Sequence, residues 1–188
     1  MARLDPLLPD AMSVEQRRIH DAILAGPRGK VGGPFPALLR SPVLTDRIQE
    51  LGAALRFQSS LSPDLRELAI LCVARHGDST VEWNAHVVIA LDQGVDQALI
   101  AAILGNDQAP DTATPAQGAV LDYCRELCAT QSSSDKTYQA ALDHVGETGV
   151  VELTVMVGYF TLLAMVLNTF KVAPENRDGV PPAHLRLP

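Results

Sequence analysis

The sequence predicts an all-α protein. Apolar residues recur at helical spacing along most of the chain, Ser/Thr–Pro pairs or capping boxes open one segment after another, and no clear run of alternating strand residues occurs. With 188 residues, the chain is close to one ordinary domain. We expect a single domain over 1–188, with a core at about 41–172 preceded by an N-terminal helix and a Gly/Pro loop over 13–40.

The first helix is expected from Ser13 to about Ala25, since Ser13 and Gln16 match a capping box. Residues 26–36, GPRGKVGGPFP, break the pattern and predict a loop packed on the body through Val31 and Phe35. Gly29 and Lys30 lack the spacing and the following hydroxyl of a phosphate-binding loop. Ser41 and Pro42 open a second helix, with Leu44, Ile48, Leu51 and Leu55 at helical spacing. Ser62 and Pro63 open a third, to about Arg75, apolar on nearly every side and therefore interior. A fourth is expected from near Ser79 to a Gly94 cap, and a fifth from about Asp96 to Leu104. Thr114 and Pro115 start a helix to about Ala129, Ser134 or Asp135 starts one toward Val145, and the last spans roughly Gly149 to Phe170. Apolar residues cover more than one face of this last helix, which predicts burial against another subunit and hence a homo-oligomer.

Composition narrows the function. Hydrophobic residues make up 47% and aromatic residues 4%, so aliphatic packing dominates. The net charge of −7 argues against nucleic-acid binding. Residues 1–12, MARLDPLLPDAM, lack a signal-peptide core, and the apolar stretch Val150 to Leu167 is interrupted by Glu152, Gly158 and Tyr159, so the expectation is a cytoplasmic protein with no membrane span. Cys72, Cys124 and Cys128 are few and odd in number, which predicts reduced thiols. Cys124 and Cys128, one helical turn apart, read as core residues. The histidines show no metal-ligand spacing, and no metal is expected.

The chemistry concentrates in residues 66–94, RELAILCVARHGDSTVEWNAHVVIALDQG. Glu67 opens an otherwise apolar helix, so its carboxylate is expected to face packed side chains, although a solvated acid favoured by the helix dipole fits the same position. Glu82 and His86 are four residues apart and share a helix face. Antiparallel packing across the Gly77–Asp78 turn would bring Glu67 to His86. Glu82 also fits a capping box with Ser79, which would make it a structural residue, and a lone helical histidine is more often structural than catalytic.

This segment resembles the core motif of the carboxymuconolactone decarboxylase family, in which an R-E-L-A-I-L helix precedes one bearing E-W-x-x-H and then a Gly turn. Here the matching residues are Arg66 to Leu71, then Glu82, Trp83 and His86, then Gly94, and the likeness extends over about Val14 to Val172. The resemblance implies an AhpD-like helical bundle. In the AhpD branch a Cys-x-x-Cys pair would occupy positions that here are Ser79 and Glu82, so thiol peroxidase chemistry of that type lacks both its attacking and its resolving sulfur. What the resemblance implies instead is a cofactor-free lyase acting on a small carboxylated lactone or related carbon acid, with Glu67, Glu82 and His86 catalytic. Arg66 or Arg75 would anchor a substrate carboxylate, Trp83 would form an apolar wall or simply fill the core, and Tyr159 and Asn168 would stand near the cavity. A peroxiredoxin-type antioxidant enzyme and a noncatalytic helical scaffold remain the alternatives.

Overall fold

The computed structural model describes residues 2–5, 7–174 and 180–187, and among these every regular element is helical. The helices are α1 (Val14–Ala25), α2 (Phe35–Leu38), α3 (Pro42–Phe57), α4 (Pro63–His76), α5 (Thr80–Asp92), α6 (Gln97–Gly105), α7 (Pro115–Thr130) and α8 (Asp135–Phe170). Single 3-10 turns lie at Pro9–Ala11 and Ala183–Leu185.

Local chemistry explains most boundaries. Ser13 and Gln16 exchange side-chain and backbone hydrogen bonds at the start of α1, as Thr114 and Gln117 do at α7. Two orphan amides are thereby satisfied at each helix start. Asp96 caps α6 through the Ala98 amide, and Ser134 caps α8 through that of Thr137. Proline in the first turn of α3, α4 and α7 supplies a preset φ where no amide donor is needed.

The structure departs from the sequence expectation at two boundaries. The predicted loop ends early, because Phe35–Leu38 closes a helical turn whose Phe35 is buried. Ser79 caps nothing with its side chain, so the capping box expected with Glu82 is absent. The two helices expected on either side of residues 145–149 are both present and run on as α8 across a break at Gly146, whose φ of 69° and ψ of 177° leave the helical region. Glycine tolerates that backbone without strain.

Helix α4 is the centre. It packs against α5, α6, α7 and α8, and nine of its fourteen residues are buried. This accounts for its lack of a polar face. Leu68, Ile70 and Leu71 of α4 meet Trp83 and Val87 of α5, Val120 and Leu121 of α7, and Leu153 and Met156 of α8 in one contiguous core. A smaller cluster of Ile19, Ile23, Phe35 and Leu39 fastens α1 and α2 to the body. Val31 packs against it, so the Gly/Pro loop is held in place from below.

Helix α8 is long and apolar enough to cross a membrane by length and composition, but half of its most apolar stretch is buried inside the fold. Leu153, Met156, Phe160, Leu163 and Leu167 face the core, while Val151, Val155, Leu162 and Met165 remain exposed.

Candidate functional site

Helices α4 and α5 fold back on each other at the Gly77–Asp78 turn, where Asp78 takes a φ of 45° and accepts a hydrogen bond from Arg75 Nη1 at 3.0 Å. That reversal places the second turn of α4 beside the middle of α5. Glu67 Oε2 and His86 Nδ1 stand 2.6 Å apart, with both side chains more than nine-tenths buried. The contact fixes the imidazole plane and leaves Nε2 as the ring nitrogen directed away from Glu67. Phe160 of α8 meets the ring edge to face at 5.4 Å, closing a second side.

One turn before His86, Glu82 is 5% exposed, and neither carboxyl oxygen has a hydrogen-bond partner. Burial pushes its pKa up to about 8, opposed only by the nearby Ser79 hydroxyl. At neutral pH this is a protonated acid with a proton to donate. A buried carboxyl without a partner costs stability, and such groups cluster where a ligand completes them.

Glu82 and His86 line one pocket of about 370 Å³, whose other walls come from the Gly/Pro loop, α3 and α8. Arg28 and Phe35 enter from the loop side, Arg56 from α3, and Tyr159 and Phe160 from α8. The Arg28 guanidinium stacks over Phe35 at 4.9 Å, while its Nε and Nη2 are buried without a hydrogen-bond partner. Desolvation holds its pKa below the ordinary value, partly offset by the adjacent Tyr159. The same desolvation raises Tyr159, whose hydroxyl donates to the Ile48 carbonyl at 3.1 Å. Gly52 of α3 makes this approach feasible: a Cβ there would collide with the Tyr159 hydroxyl and the Arg28 guanidinium.

Of the residues singled out from the sequence, the structure gathers Glu67, Glu82, His86 and Tyr159 around this pocket. It places the others elsewhere. Arg66 donates to the Leu61 carbonyl at 2.7 Å, and Arg75 to the Leu104 carbonyl at 2.7 Å, so both guanidinium groups brace helix ends. Trp83 is fully buried, and its indole N–H donates to the Leu185 carbonyl at 2.6 Å, tying the carboxyl end of the chain to α5. Asn168 donates to the Gly77 carbonyl at 2.7 Å and lines a separate surface cavity. Arg28 and Arg56 escaped sequence reasoning because a lone arginine in a loop or on an exposed helix turn carries no local signal. Among the described residues, no group of three or more His, Cys, Asp or Glu is placed to hold a metal ion.

The carboxymuconolactone decarboxylase family model matches residues 42–126, from α3 through most of α7, and includes Glu67, Glu82 and His86. No curated protein sequence matches the chain. Several solved structures share the fold. A protein from Ralstonia eutropha JMP134, described as an alkylhydroperoxidase AhpD core and peroxidase-related protein, is 18% identical with a TM-score of 0.78, and the match covers 94% of each chain. A peroxidase-related protein from Silicibacter sp. TM1040 is 17% identical with a TM-score of 0.74, covering 93% of this chain and 92% of that one. A cysteine-to-alanine variant of the debrominase Bmp8, in complex with 2,3,4-tribromopyrrole, is 12% identical with a TM-score of 0.74, covering 95% of this chain and 96% of that one. At these identities the likeness establishes the fold alone. Residues 42–126 match the carboxymuconolactone decarboxylase family model, and the chain that carries them has the AhpD-like fold.

Proposed function

We propose that the protein is a cofactor-free lyase of the decarboxylase type, acting on a small carboxylated lactone or related carbon acid by proton transfer. One observation carries this reading: a neutral, unpartnered Glu82 carboxyl shares a small pocket with an imidazole already oriented by a buried carboxylate. A pocket of about 370 Å³ lies at the small end of ligand-site volumes, which suits a compact acid.

Arg28 and Arg56 supply positive charge at one wall of the pocket and would hold the substrate's anionic groups, with Arg28 offering two buried donors that lack a protein acceptor. With its Nδ1–H donating to Glu67, His86 presents a basic Nε2 to the substrate. In decarboxylation the C–C bond to the departing carboxylate breaks, carbon dioxide leaves, and the electron pair moves into the substrate's conjugated carbonyl as an enolate. Glu82 then hydrogen-bonds to that developing oxyanion or returns a proton to carbon, and His86 restores the proton balance. Phe35, Phe160 and Leu163 keep water from competing for these protons.

AhpD-type peroxide reduction at this site is disfavoured, since positions 79 and 82 carry Ser and Glu. Two further expectations join the proposal. Free thiols at all three cysteines support a reducing, cytoplasmic setting. The exposed apolar face of α8 at Val151, Val155, Leu162 and Met165 supports a homo-oligomer, which light scattering would deny by returning a monomer at micromolar concentration.

The activity is tested by following carbon dioxide release from a panel of muconolactone-like acids. Release that disappears in His86→Ala and in Glu82→Gln supports the lyase reading. If no acid in the panel is turned over or bound, the site is not a lactone decarboxylase, and unchanged stability in both variants would favour a scaffold.

A further inference from the structure

Helix α4 carries a second chemical cluster on its other flank. Five and nine residues advance an α-helix by about 140° and 180° around its axis, so Cys72 and His76 point away from Glu67. There α4 packs on α7, and a cavity of about 380 Å³ is lined by Cys72, Arg75, His76, Asn106, Arg125 and Cys128. This cavity shares no lining residue with the Glu82 pocket.

The two thiols at its floor differ in access. Cys72 is 4% exposed, whereas Cys128 is half-buried and also borders the neighbouring surface cavity beside α8. Both line this one cavity from facing helices, α4 and α7, near enough for a hydrogen bond from the Cys72 S–H to bear on the Cys128 sulfur. That hydrogen bond lowers the Cys128 pKa below the ordinary thiol value and raises that of Cys72. Cys124, one turn earlier on α7, is fully buried, and burial pushes its pKa up. It shares a helix face with Cys128, where helical geometry resists a disulfide between them.

The charge around the pair is positive. Arg125 is held by the carbonyls of Ala102 and Asp107 at 3.2 Å and 2.7 Å, which position it without neutralising it. Arg75 donates to the Leu104 carbonyl, and the carboxylate it pairs with, that of Asp78, is exposed. Two guanidinium groups and one solvated carboxylate leave the cavity attractive to an anion.

We infer that Cys128 and Cys72 form a dithiol site that undergoes exchange with small anionic disulfides, Cys128 attacking and Cys72 resolving. The Cys128 thiolate attacks one sulfur of R–S–S–R, the S–S bond breaks, and RS⁻ leaves, so Cys128 is held as a mixed disulfide. Cys72 then releases its proton and attacks the Cys128 sulfur, expelling the second RS⁻. The protein loses two electrons and becomes a Cys72–Cys128 disulfide, and the small disulfide is reduced to two thiols. Arg75, Arg125 and His76 gather the anionic disulfide at the cavity.

The test treats the reduced, folded protein at about pH 7 with dithiobis-nitrobenzoate, a disulfide bearing two carboxylates. The wild type should release two nitrothiobenzoates in the fast phase, retain no aryl group, weigh two hydrogens less, and yield a proteolytic fragment linking Cys72 to Cys128. Cys72→Ser should stop after one release with the aryl group retained, Cys128→Ser should lose the fast phase, and Cys124→Ser should behave as the wild type. Cystamine, a cationic disulfide, should react at least about tenfold more slowly at low salt, the gap narrowing as salt rises. A wild-type chain that keeps its aryl adduct, or forms no Cys72–Cys128 link, overturns the pair, and this readout needs no variant to fold. Equal rates for the two disulfides overturn the anion preference.

Discussion

Helix α4 lines the cavity at Cys128 and supports the Glu82 pocket through the Glu67–His86 contact, and the contrast between the two shows what burial does to a reactive group. In the Glu82 pocket, desolvation acts on an acid with no hydrogen-bond partner, and its pKa rises to about 8. In the cavity at Cys128, a neighbouring thiol donates to a sulfur, and the pKa falls despite partial burial. Removal from water favours the neutral form, while a hydrogen bond to the anion favours the charged form. The first cavity therefore favours a proton held for donation, and the second favours the thiolate form that attacks. One apolar helix serves both because it is enclosed on all sides, so each flank meets different partners.

The largest effect that would sharpen this contrast is expected from His86→Ala. If the pocket performs proton transfer, turnover of an active lactone acid should fall by about 10²–10⁴-fold. Helical circular dichroism should be unchanged, and thiol exchange at Cys128 should proceed as in the wild type. Loss of both activities together would mean that the two cavities are not independent.

Glu82→Gln comes next and carries a pH signature. Glu82 titrates near 4.5 when unfolded and near 8 when folded, so the native state binds the extra proton between those values and stability falls as pH rises through that window. The full effect is on the order of 5 kcal/mol. Urea unfolding at several pH values should show a shallower slope in the glutamine variant. The wild-type rate should decline as pH rises through about 8, where the acid ionises, and that limb should vanish in the variant. An identical pH profile in both proteins would remove Glu82 from the chemistry.

Gly52→Ala probes the cation wall. The added Cβ forces Tyr159 and Arg28 apart, which should cost about 1–3 kcal/mol of stability and raise KM more than it lowers kcat. A reduced kcat at unchanged KM would show that Arg28 does not anchor the substrate. The smallest effect is expected far from both cavities: Ser13→Ala removes the α1 capping box for about 1 kcal/mol in thermal denaturation, leaving both chemistries intact.

Much of this molecule could be read from sequence because the relevant physics is local. The capping boxes at Ser13 and Thr114, and the first-turn prolines at Pro42, Pro63 and Pro115, act within a turn or two of themselves, so helix starts fall where the residues announce them. Glu67 and His86 belong to helices joined by a short turn, and an antiparallel reversal is enough to bring them together. Glu82 had two readings from sequence. The structure removes the capping reading, because the Ser79 side chain makes no cap hydrogen bond.

The sequence by itself determined the helical class, the order of the helices and the acid–imidazole motif, since spacing and end chemistry are properties of neighbouring residues. Only the tertiary structure decided which cations meet that motif, bringing Arg28 and Arg56 to it while engaging Arg66 and Arg75 at helix ends. It also paired Cys72 with Cys128, fifty-six residues away, rather than leaving Cys128 with its helical neighbour Cys124. Desolvation and long-range contact depend on what packs against a residue, and that is settled when the helices assemble.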